Sequence, residues 1–319
     1  ERTIGKEAWL ADEPPALPWP LVLSETPPVV ARSPPIVTFH SFKGGVGRTT
    51  LVAAFAIQLA EQVQAKRVAV VDLDLEAPGV GSLFGVETER GVLDVLVDHI
   101  ATGMIDLTDA SALPTLPGDM QGRVTVFPAG RLDDVYLQKL ARLDFSSALP
   151  SKPPSNPVGT ALAEMLKKMK DDFDFILLDS RAGLHDIAGM SLHGLAHVDV
   201  LVFRGTEQNF AGLGQTLRTL GPRSYGRLVL VETMLKEAAD VIRRMSASAG
   251  SFPASAGSGW PPVVRDYWES AKYSIPDVPR VVPSMKEFDA AIDVMSCLMK
   301  LPERERKIVA AKAFGSSYR

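Results

Sequence analysis

The chain has 319 residues, of which 46% are hydrophobic and 23% are charged, and its formal net charge is −4. These values are typical of a soluble globular protein with a sizeable core. The acidic balance gives no overall attraction to nucleic acid or anionic membranes. Cys297 is the single cysteine, which excludes an intramolecular disulfide and a four-cysteine metal site within one chain. We therefore expect a reducing, cytoplasmic location.

The N-terminal region is rich in proline: residues 1–35 contain eight of the 24 prolines. Because proline fixes φ and removes a backbone donor, this region is predicted to be an arm or linker. It is either disordered or packed on the domain through apolar residues such as Trp9 and Trp19. The chain begins at Glu1, so we expect it to be a fragment or the ordered part of a longer protein. No apolar stretch reaches the roughly 20 residues that a transmembrane helix needs.

Six short, β-rich apolar runs alternate with helical stretches from residue 36 onwards. Runs of continuous apolarity are typical of strands buried on both faces. The runs are residues 36–39, 68–71, 124–127, 175–178, 200–203 and 228–231. This alternation predicts an α/β fold with a mostly parallel sheet flanked by helices. We assign residues 36–245 to this domain.

The C-terminal third is less regular. Residues 246–262 are low in complexity and predict a flexible Ser/Ala/Gly/Pro-rich loop, and residues 263–319 predict a helical part packed on the same domain. The stretch "LVLVETML", residues 228–235, passes from strand to helix character without a turn residue. Since such a change normally needs a connection, the sequence leaves open whether residues are missing near Val231 and Glu232.

The stretch "SFKGGVGRTT", residues 41–50, follows the first predicted strand and opens a helix. Its glycines let the backbone wrap around an anion with the N–H groups pointing inward, and the helix N-terminus adds positive potential. Thr49 can offer its hydroxyl to Mg²⁺. In an ordinary phosphate-binding loop a lysine precedes this threonine, but here Arg48 does, and the lysine is Lys43.

Lys43 to Thr50 resemble the loop of the MinD/ParA family of deviant Walker ATPases, with arginine in place of the second lysine. The resemblance implies a P-loop NTPase fold and binding of ATP or ADP with Mg²⁺. In that family the early lysine reaches across a dimer interface to the phosphates of the partner's nucleotide, and Lys43 takes that catalytic position. The implied nucleotide contacts are Gly44, Gly45, Val46, Gly47, Arg48, Thr49 and Thr50.

Two acidic segments at later strand ends strengthen the resemblance. In "VVDLDLEAPG", residues 70–79, it makes Asp74 the residue that faces the attacking water and Asp72 a supporting residue of the magnesium site. In "FILLDSRAGL", residues 175–184, Asp179 would hold Mg²⁺ through water and Gly183 would sense the γ-phosphate. These carboxylates are expected to meet where α/β sheets bind ligands, at the carboxyl ends of the strands.

Adenine contacts are not assigned by the resemblance. The Asn-Arg or Asn-Lys pair that the family has after the later strand is replaced here by Glu232 and Thr233. Thr206, Glu207 and Gln208 fall where the family has other residues near the base.

The resemblance predicts a dimerising Mg-ATPase switch that controls a partner protein. Arg48 is also a cation, but its planar fork differs from the point charge of lysine, so hydrolysis is expected to be slow. The alternative is a non-hydrolysing nucleotide-binding module of a larger regulatory or defence assembly. The sequence does not support DNA as a partner, because arginines like those between residues 218 and 244 are common on the surfaces of helices.

Two other classes with related loops fit less well. A tyrosine autokinase would have a tyrosine-rich tail, and this tail has only Tyr318. An iron–sulfur carrier would need bridging cysteines, and Cys297 alone cannot build the bridge without a second subunit.

Overall fold

The computed structural model describes residues 34–61, 67–116, 122–143, 157–183, 195–204, 206–220, 228–235 and 280–283. Within these ranges the chain forms a seven-stranded sheet. Its strands are β1 (Ile36–His40), β2 (Val68–Asp72), β3 (Val124–Phe127), β4 (Phe175–Asp179), β5 (Val198–Arg204), β6 (Leu228–Leu235) and β7 (Arg280–Pro283).

The strand order is β3-β2-β4-β1-β5-β6-β7, and every neighbouring pair is parallel. All six predicted apolar runs lie in strands, so the predicted α/β fold with a parallel sheet is confirmed. Buried side chains along β1, β2 and β4 account for the apolar runs, because both faces of these central strands are covered.

Helices supply the two covering layers. Among the described residues they are α1 (Arg48–Glu61), α2 (Val80–Phe84), α3 (Val92–Thr102), α4 (Tyr136–Leu140), α5 (Pro157–Met169) and α6 (Glu207–Leu220). Side chains of α1 and α2 pack with one face of the sheet, and those of α3 and α5 pack with the other. Alternate β1 residues divide between the layers, with Val37 and Phe39 in the first and Ile36 in the second. The alternation follows from the period of two along a strand.

The sheet order brings three strand ends together. Strand β4 lies between β2 and β1, and its last residue, Asp179, is in register with Asp72 of β2 and Phe39 of β1. The loop after β1 therefore lies beside the acidic ends of β2 and β4. This is the edge at which parallel α/β sheets bind ligands.

The C-terminal part differs from the prediction in two places. Strand β6 continues through Leu235, so the helix predicted after Val231 is wrong, and the chain runs on from Val231 to Glu232 within one strand. Arg280–Pro283 forms β7 beside β6, whereas helix was predicted for residues 263–319. The helical character of residues 232–235 did not decide their conformation, because this segment continues the pairing of β6 within the sheet.

Several predicted segments lie outside the described residues. They are the proline-rich arm apart from residues 34 and 35, the loop at residues 246–262, and residues 263–279 and 284–319. The helices that the structure does describe include none with both the length and the apolarity needed to cross a membrane.

Candidate functional site

The loop between β1 and α1 has the conformation that its glycines allow. Gly45 and Gly47 have φ angles of 71° and 79°, in the left-handed region that other residues rarely adopt. Lys43, Gly44 and Gly45 are exposed, while Val46 is buried. Helix α1 begins at Arg48, so its N-terminus opens directly from this loop. Exposed main chain at a helix N-terminus suits an anion such as a phosphate.

Arg48 is buried within the site, with an exposed fraction of 7%. Its Nε donates to Asp179 Oδ1 at 2.6 Å, and its Nη2 donates to Asp74 Oδ2 at 2.8 Å. Its Nη1 lies 3.4 Å from Ser41 Oγ. Burial alone would lower the pKa of Arg48, but the two carboxylates outweigh burial and raise it. The guanidinium is therefore a permanent cation that joins the ends of β2 and β4.

Asp179 is fully buried and is shared between Arg48 and Thr49. The Thr49 hydroxyl donates to Asp179 Oδ2 at 2.7 Å. Burial raises the pKa of Asp179, against the opposing effects of Arg48 and of the Thr49 hydrogen bond. A hydroxyl that donates its proton keeps a lone pair for a cation, and hard oxygen donors are what Mg²⁺ prefers. The Thr49 and Asp179 oxygens thus fit a magnesium site that keeps several of its waters.

Asp72 braces the main chain that follows β2. Its Oδ1 accepts from the Asp74 N–H at 3.1 Å, and its Oδ2 accepts from the Gly79 and Val80 N–H groups at 3.0 Å each. Burial, followed by the charge of Asp179, raises the pKa of Asp72 to about 7. Both Asp72 oxygens are thus engaged in shaping the acidic loop that presents Asp74.

Asp74 lies at the turn of that loop and is 7% exposed. Its Oδ1 accepts from the Ala77 N–H at 3.3 Å, while its Oδ2 is bound to Arg48. Asp72, Asp74 and Asp179 form no cluster able to hold a metal by themselves within the part of the chain that the structure describes. Arg48 occupies the space between Asp74 and Asp179.

Lys43, five residues before Arg48, is in a different environment. Its side chain is exposed, and its Nζ lies 5.7 Å from the centroid of the Phe42 ring. Lys43 forms no ion pair with any of the described residues. Its charge does not join the network around Arg48, although both residues belong to one loop.

The segment after β4 is tied to the same loop. The Gly183 N–H donates to the Ser41 carbonyl at 2.8 Å, and Gly183 has a φ angle of 90°. Arg181 forms an ion pair with Glu76. The three segments that follow β1, β2 and β4 are therefore connected by hydrogen bonds and ion pairs. The predicted residues Arg48, Thr49, Asp72, Asp74, Asp179 and Gly183 are brought to one region.

A sequence profile of the "CobQ/CobB/MinD/ParA nucleotide binding domain" matches residues 37–220, which is more than half of the chain. The chain belongs to this family. Its profile match spans β1 to α6 and includes every residue of the glycine loop.

Individual sequence relatives are consistent with this family assignment. The septum site-determining protein MinD of Helicobacter pylori is 28% identical over 167 residues, which are 52% of this chain and 50% of that protein. An uncharacterized ATP-binding protein of Methanocaldococcus jannaschii is 27% identical over 176 residues, which are 55% of this chain and 54% of that protein. The chain spans about half the length of the curated relatives it matches.

Solved MinD structures share the fold. The cell division ATPase MinD of Pyrococcus furiosus has a TM-score of 0.57 and 21% identity, covering 88% of this chain and 96% of that one. MinD of Pyrococcus horikoshii, solved with Mg-ADP, has a TM-score of 0.53 and 20% identity, covering 88% of this chain and 92% of that one. These neighbours confirm a P-loop NTPase fold of the MinD/ParA type.

Three residues near the loop of this MinD/ParA-family chain were not predicted from sequence. Thr233 of β6 donates its hydroxyl to the Val46 carbonyl at 2.6 Å. His40, at the end of β1, is buried, and burial followed by the charge of Arg48 lowers its pKa to about 3, so the imidazole is neutral. Phe42 packs against α6. The position of His40 at the end of a predicted strand was a weak sequence signal that it lies near the site. The roles of Thr233 and Phe42 depend on contacts between residues that are distant in the sequence.

Thr206, which the resemblance placed near the base, has a local role at the start of α6. Its Oγ1 accepts from Asn209 Nδ2 at 2.8 Å and lies 3.4 Å from the Asn209 N–H. A hydroxyl just before a helix commonly satisfies the free N–H groups of the first turn.

Proposed function

We propose that this protein binds Mg-ATP and acts as a dimerising ATPase switch that controls a partner protein or assembly. One observation carries the proposal: the glycine loop, Thr49, Asp74 and Asp179 converge at the carboxyl edge of the sheet. Membership of the MinD/ParA family supports nucleotide as the ligand. The Mg-ADP bound to the Pyrococcus horikoshii MinD supports magnesium as its companion.

Nucleotide binding would rest on the loop. The main-chain N–H groups around the glycines and at the start of α1 would hold the phosphates, and Arg48 would add its charge. The residues assigned to this task are Gly44, Gly45, Val46, Gly47, Arg48, Thr49, Thr50 and Gly183. Thr49 would ligate Mg²⁺ directly, Asp179 would hold it through water, and Asp72 would support the site. Bound Mg²⁺ would neutralise charge on the phosphate oxygens.

Hydrolysis would depend on Asp74 and Lys43. Asp74 would orient the attacking water, and its carboxylate must then be free of Arg48 Nη2. Lys43 is exposed and outside the Arg48 network, which suits a contact with the phosphates of a second subunit. The functional unit would then be a nucleotide-dependent homodimer, with release of the nucleotide or its hydrolysis separating the subunits. The lone cysteine supports a cytoplasmic site of action.

The ion pair between Arg48 and Asp74 favours a second candidate, a non-hydrolysing nucleotide-binding module of a larger assembly. If the guanidinium holds Asp74 while nucleotide is bound, no carboxylate is available to orient water. In this case ATP would still dock on the loop and alter the shape of the protein without being consumed.

Calorimetry and a turnover assay separate the two candidates. Calorimetry with Mg-ATP and Mg-ADP should give saturable binding at or below millimolar nucleotide, and no binding at that concentration would reject both. The lead proposal expects turnover by the wild type. It also expects Asp74→Ala to lower turnover by about 10²-fold or more with nucleotide binding largely kept, the scale of a lost proton acceptor.

Asp133→Ala is the matched control, because Asp133 is an exposed carboxylate on the described surface and belongs to no part of the site. Normal nucleotide binding without turnover by the wild type would favour the non-hydrolysing module.

A further inference from the structure

Helix α6 has a notch at Gly212 that the Phe42 ring fills. A Cβ atom built at residue 212 would lie 1.9 Å from Phe42 Cδ1 and 2.1 Å from Phe42 Cγ. These distances are far below any van der Waals contact, so no side chain larger than hydrogen fits while the ring is in place. Gly212 is itself buried. The pair joins residues that are far apart in the sequence and belong to the glycine loop and to α6.

A glycine at position 212 is unfavourable for the helix itself. Glycine inside a helix is less favourable than alanine, because it loses more conformational freedom on folding. Gly212 lies within α6, Glu207–Leu220, and its carbonyl accepts an additional hydrogen bond from the Thr216 hydroxyl at 3.0 Å. Helix formation therefore gives no reason for a glycine here, whereas the Phe42 ring does.

The chain on either side of Phe42 is held as well. The preceding carbonyl, Ser41 C=O, accepts from the Gly183 N–H at 2.8 Å. The following residue, Lys43, has its ammonium over the Phe42 ring at 5.7 Å from the centroid. A cation at this distance is attracted by the negative face of an aromatic ring. The ring is thus packed against α6 and lies beside the exposed lysine.

We propose that Phe42, seated in the Gly212 notch, is a positioning residue that holds Lys43 ready for the nucleotide of a second copy of this chain. The proposal rests on the proposed dimer switch. A lysine side chain has several rotatable bonds, and fixing it at an interface costs conformational freedom. A ring that already limits the position of the ammonium lowers that cost at the moment of dimerisation.

Two substitutions test the pair from opposite sides. Gly212→Ala fills the notch and must displace the ring, although alanine favours helix. Phe42→Leu removes the ring but keeps an apolar side chain. Ala211→Ser is the matched control, because Ala211 is the exposed neighbour on α6. Each variant is measured by sedimentation velocity with Mg²⁺ and a non-hydrolysable ATP analogue, and by calorimetry of analogue binding at concentrations where the protein is monomeric.

Both Gly212→Ala and Phe42→Leu should weaken analogue-dependent dimerisation by about tenfold or more, because a two-fold dimer uses the contact twice. Analogue binding by the monomer should change by less than about threefold, because neither Phe42 nor Gly212 is assigned a contact with the nucleotide. Ala211→Ser should match the wild type in both. A double variant that combines Gly212→Ala with Phe42→Ala lacks the Cγ and Cδ1 atoms with which the new Cβ would clash, so its thermal stability should recover relative to Gly212→Ala while dimerisation stays weak.

Lys43→Ala separates failure of this inference from failure of the dimer switch. If Lys43→Ala weakens dimerisation while Phe42→Leu and Gly212→Ala dimerise like the wild type, the positioning role of Phe42 is wrong and the switch stands. If the wild type stays monomeric with bound analogue, both are wrong. Should Gly212→Ala not fold, Phe42→Leu alone decides.

Discussion

The two cations of the glycine loop, Arg48 and Lys43, differ in almost every respect. Arg48 is buried and bound to Asp74 and Asp179, whereas Lys43 is exposed with its ammonium over the Phe42 ring. A buried charge must be paired within its own chain, since desolvation is otherwise costly. An exposed lysine has no such constraint and keeps its charge available to a ligand or a second molecule. The comparison supports the proposal that Arg48 organises the site of its own chain, while Lys43 stays available to a second molecule.

The largest expected effect is on stability at the buried end of the loop. Arg48→Ala leaves two buried carboxylates without their cation, so we expect the free energy of unfolding to fall by about 3–5 kcal/mol. Lys43→Ala, which removes one cation from the same loop, is the matched control and should leave the free energy of unfolding unchanged. Urea unfolding at neutral pH measures both. Similar losses in the two variants would erase the contrast between buried and exposed cations.

The pH dependence of the Arg48→Ala defect gives a second, smaller effect. Burial already raises the pKa of Asp179 above its ordinary value of 3.8, and loss of Arg48 would raise it further. A carboxyl whose pKa is raised on folding costs stability as pH rises above its value in the unfolded chain. We therefore expect the deficit of Arg48→Ala, relative to the wild type, to be smaller at about pH 4.5 than at about pH 7.5.

Unfolding curves of both proteins at the two pH values measure the deficit. A deficit that grows toward acid pH would contradict the account of Asp179 as a buried carboxylate neutralised by Arg48.

The smallest effect concerns two buried threonines with opposite expectations. Thr233→Val removes the hydroxyl that donates to the Val46 carbonyl, so the free energy of unfolding should fall by about 1 kcal/mol. Thr38 is also buried, but its hydroxyl has no hydrogen-bond partner among the described residues. Thr38→Val should therefore be neutral or stabilising by about 1 kcal/mol, because it removes an unsatisfied polar group. Chemical denaturation measures the change in the free energy of unfolding for both variants. Equal changes would contradict the inference that the Thr233 hydroxyl stabilises the loop.

Local sequence predicted the sheet and most of the site. Continuous apolar runs marked six strands, because central parallel strands are buried on both faces. Asp74 and Asp179 could be expected to meet, because Asp74 follows β2 and Asp179 ends β4 at the same edge of the parallel sheet. Arg48 was expected to contact phosphate, but its fork also reaches both carboxylates, a detail that depends on side-chain length and direction.

The contacts that sequence did not predict are non-local. Strand β6 extends through Thr233 because pairing with β5 continues to Arg204, which overrides the helical character of "ETML". Strand β7 pairs with β6 at the open edge of the sheet, which is a contact between segments distant in the sequence. The Phe42 contact with Gly212 depends on how α6 packs beside the loop, and no sequence pattern in either segment predicts it.

The central claim is that Lys43 acts on the nucleotide of the partner, while Asp74 acts on the nucleotide of its own chain. Mixing two inactive variants, Lys43→Ala and Asp74→Ala, tests this claim directly by turnover of Mg-ATP. In a mixed dimer the Lys43→Ala chain keeps its own Asp74 and receives the intact Lys43 of the other chain, so one complete site forms. At protein concentrations that saturate dimerisation of both variants, an equal mixture should then recover about a quarter of wild-type turnover, because half of the dimers are mixed and each has one complete site of two. If the mixture is no more active than either variant alone while the wild type turns over, Lys43 does not act across the interface.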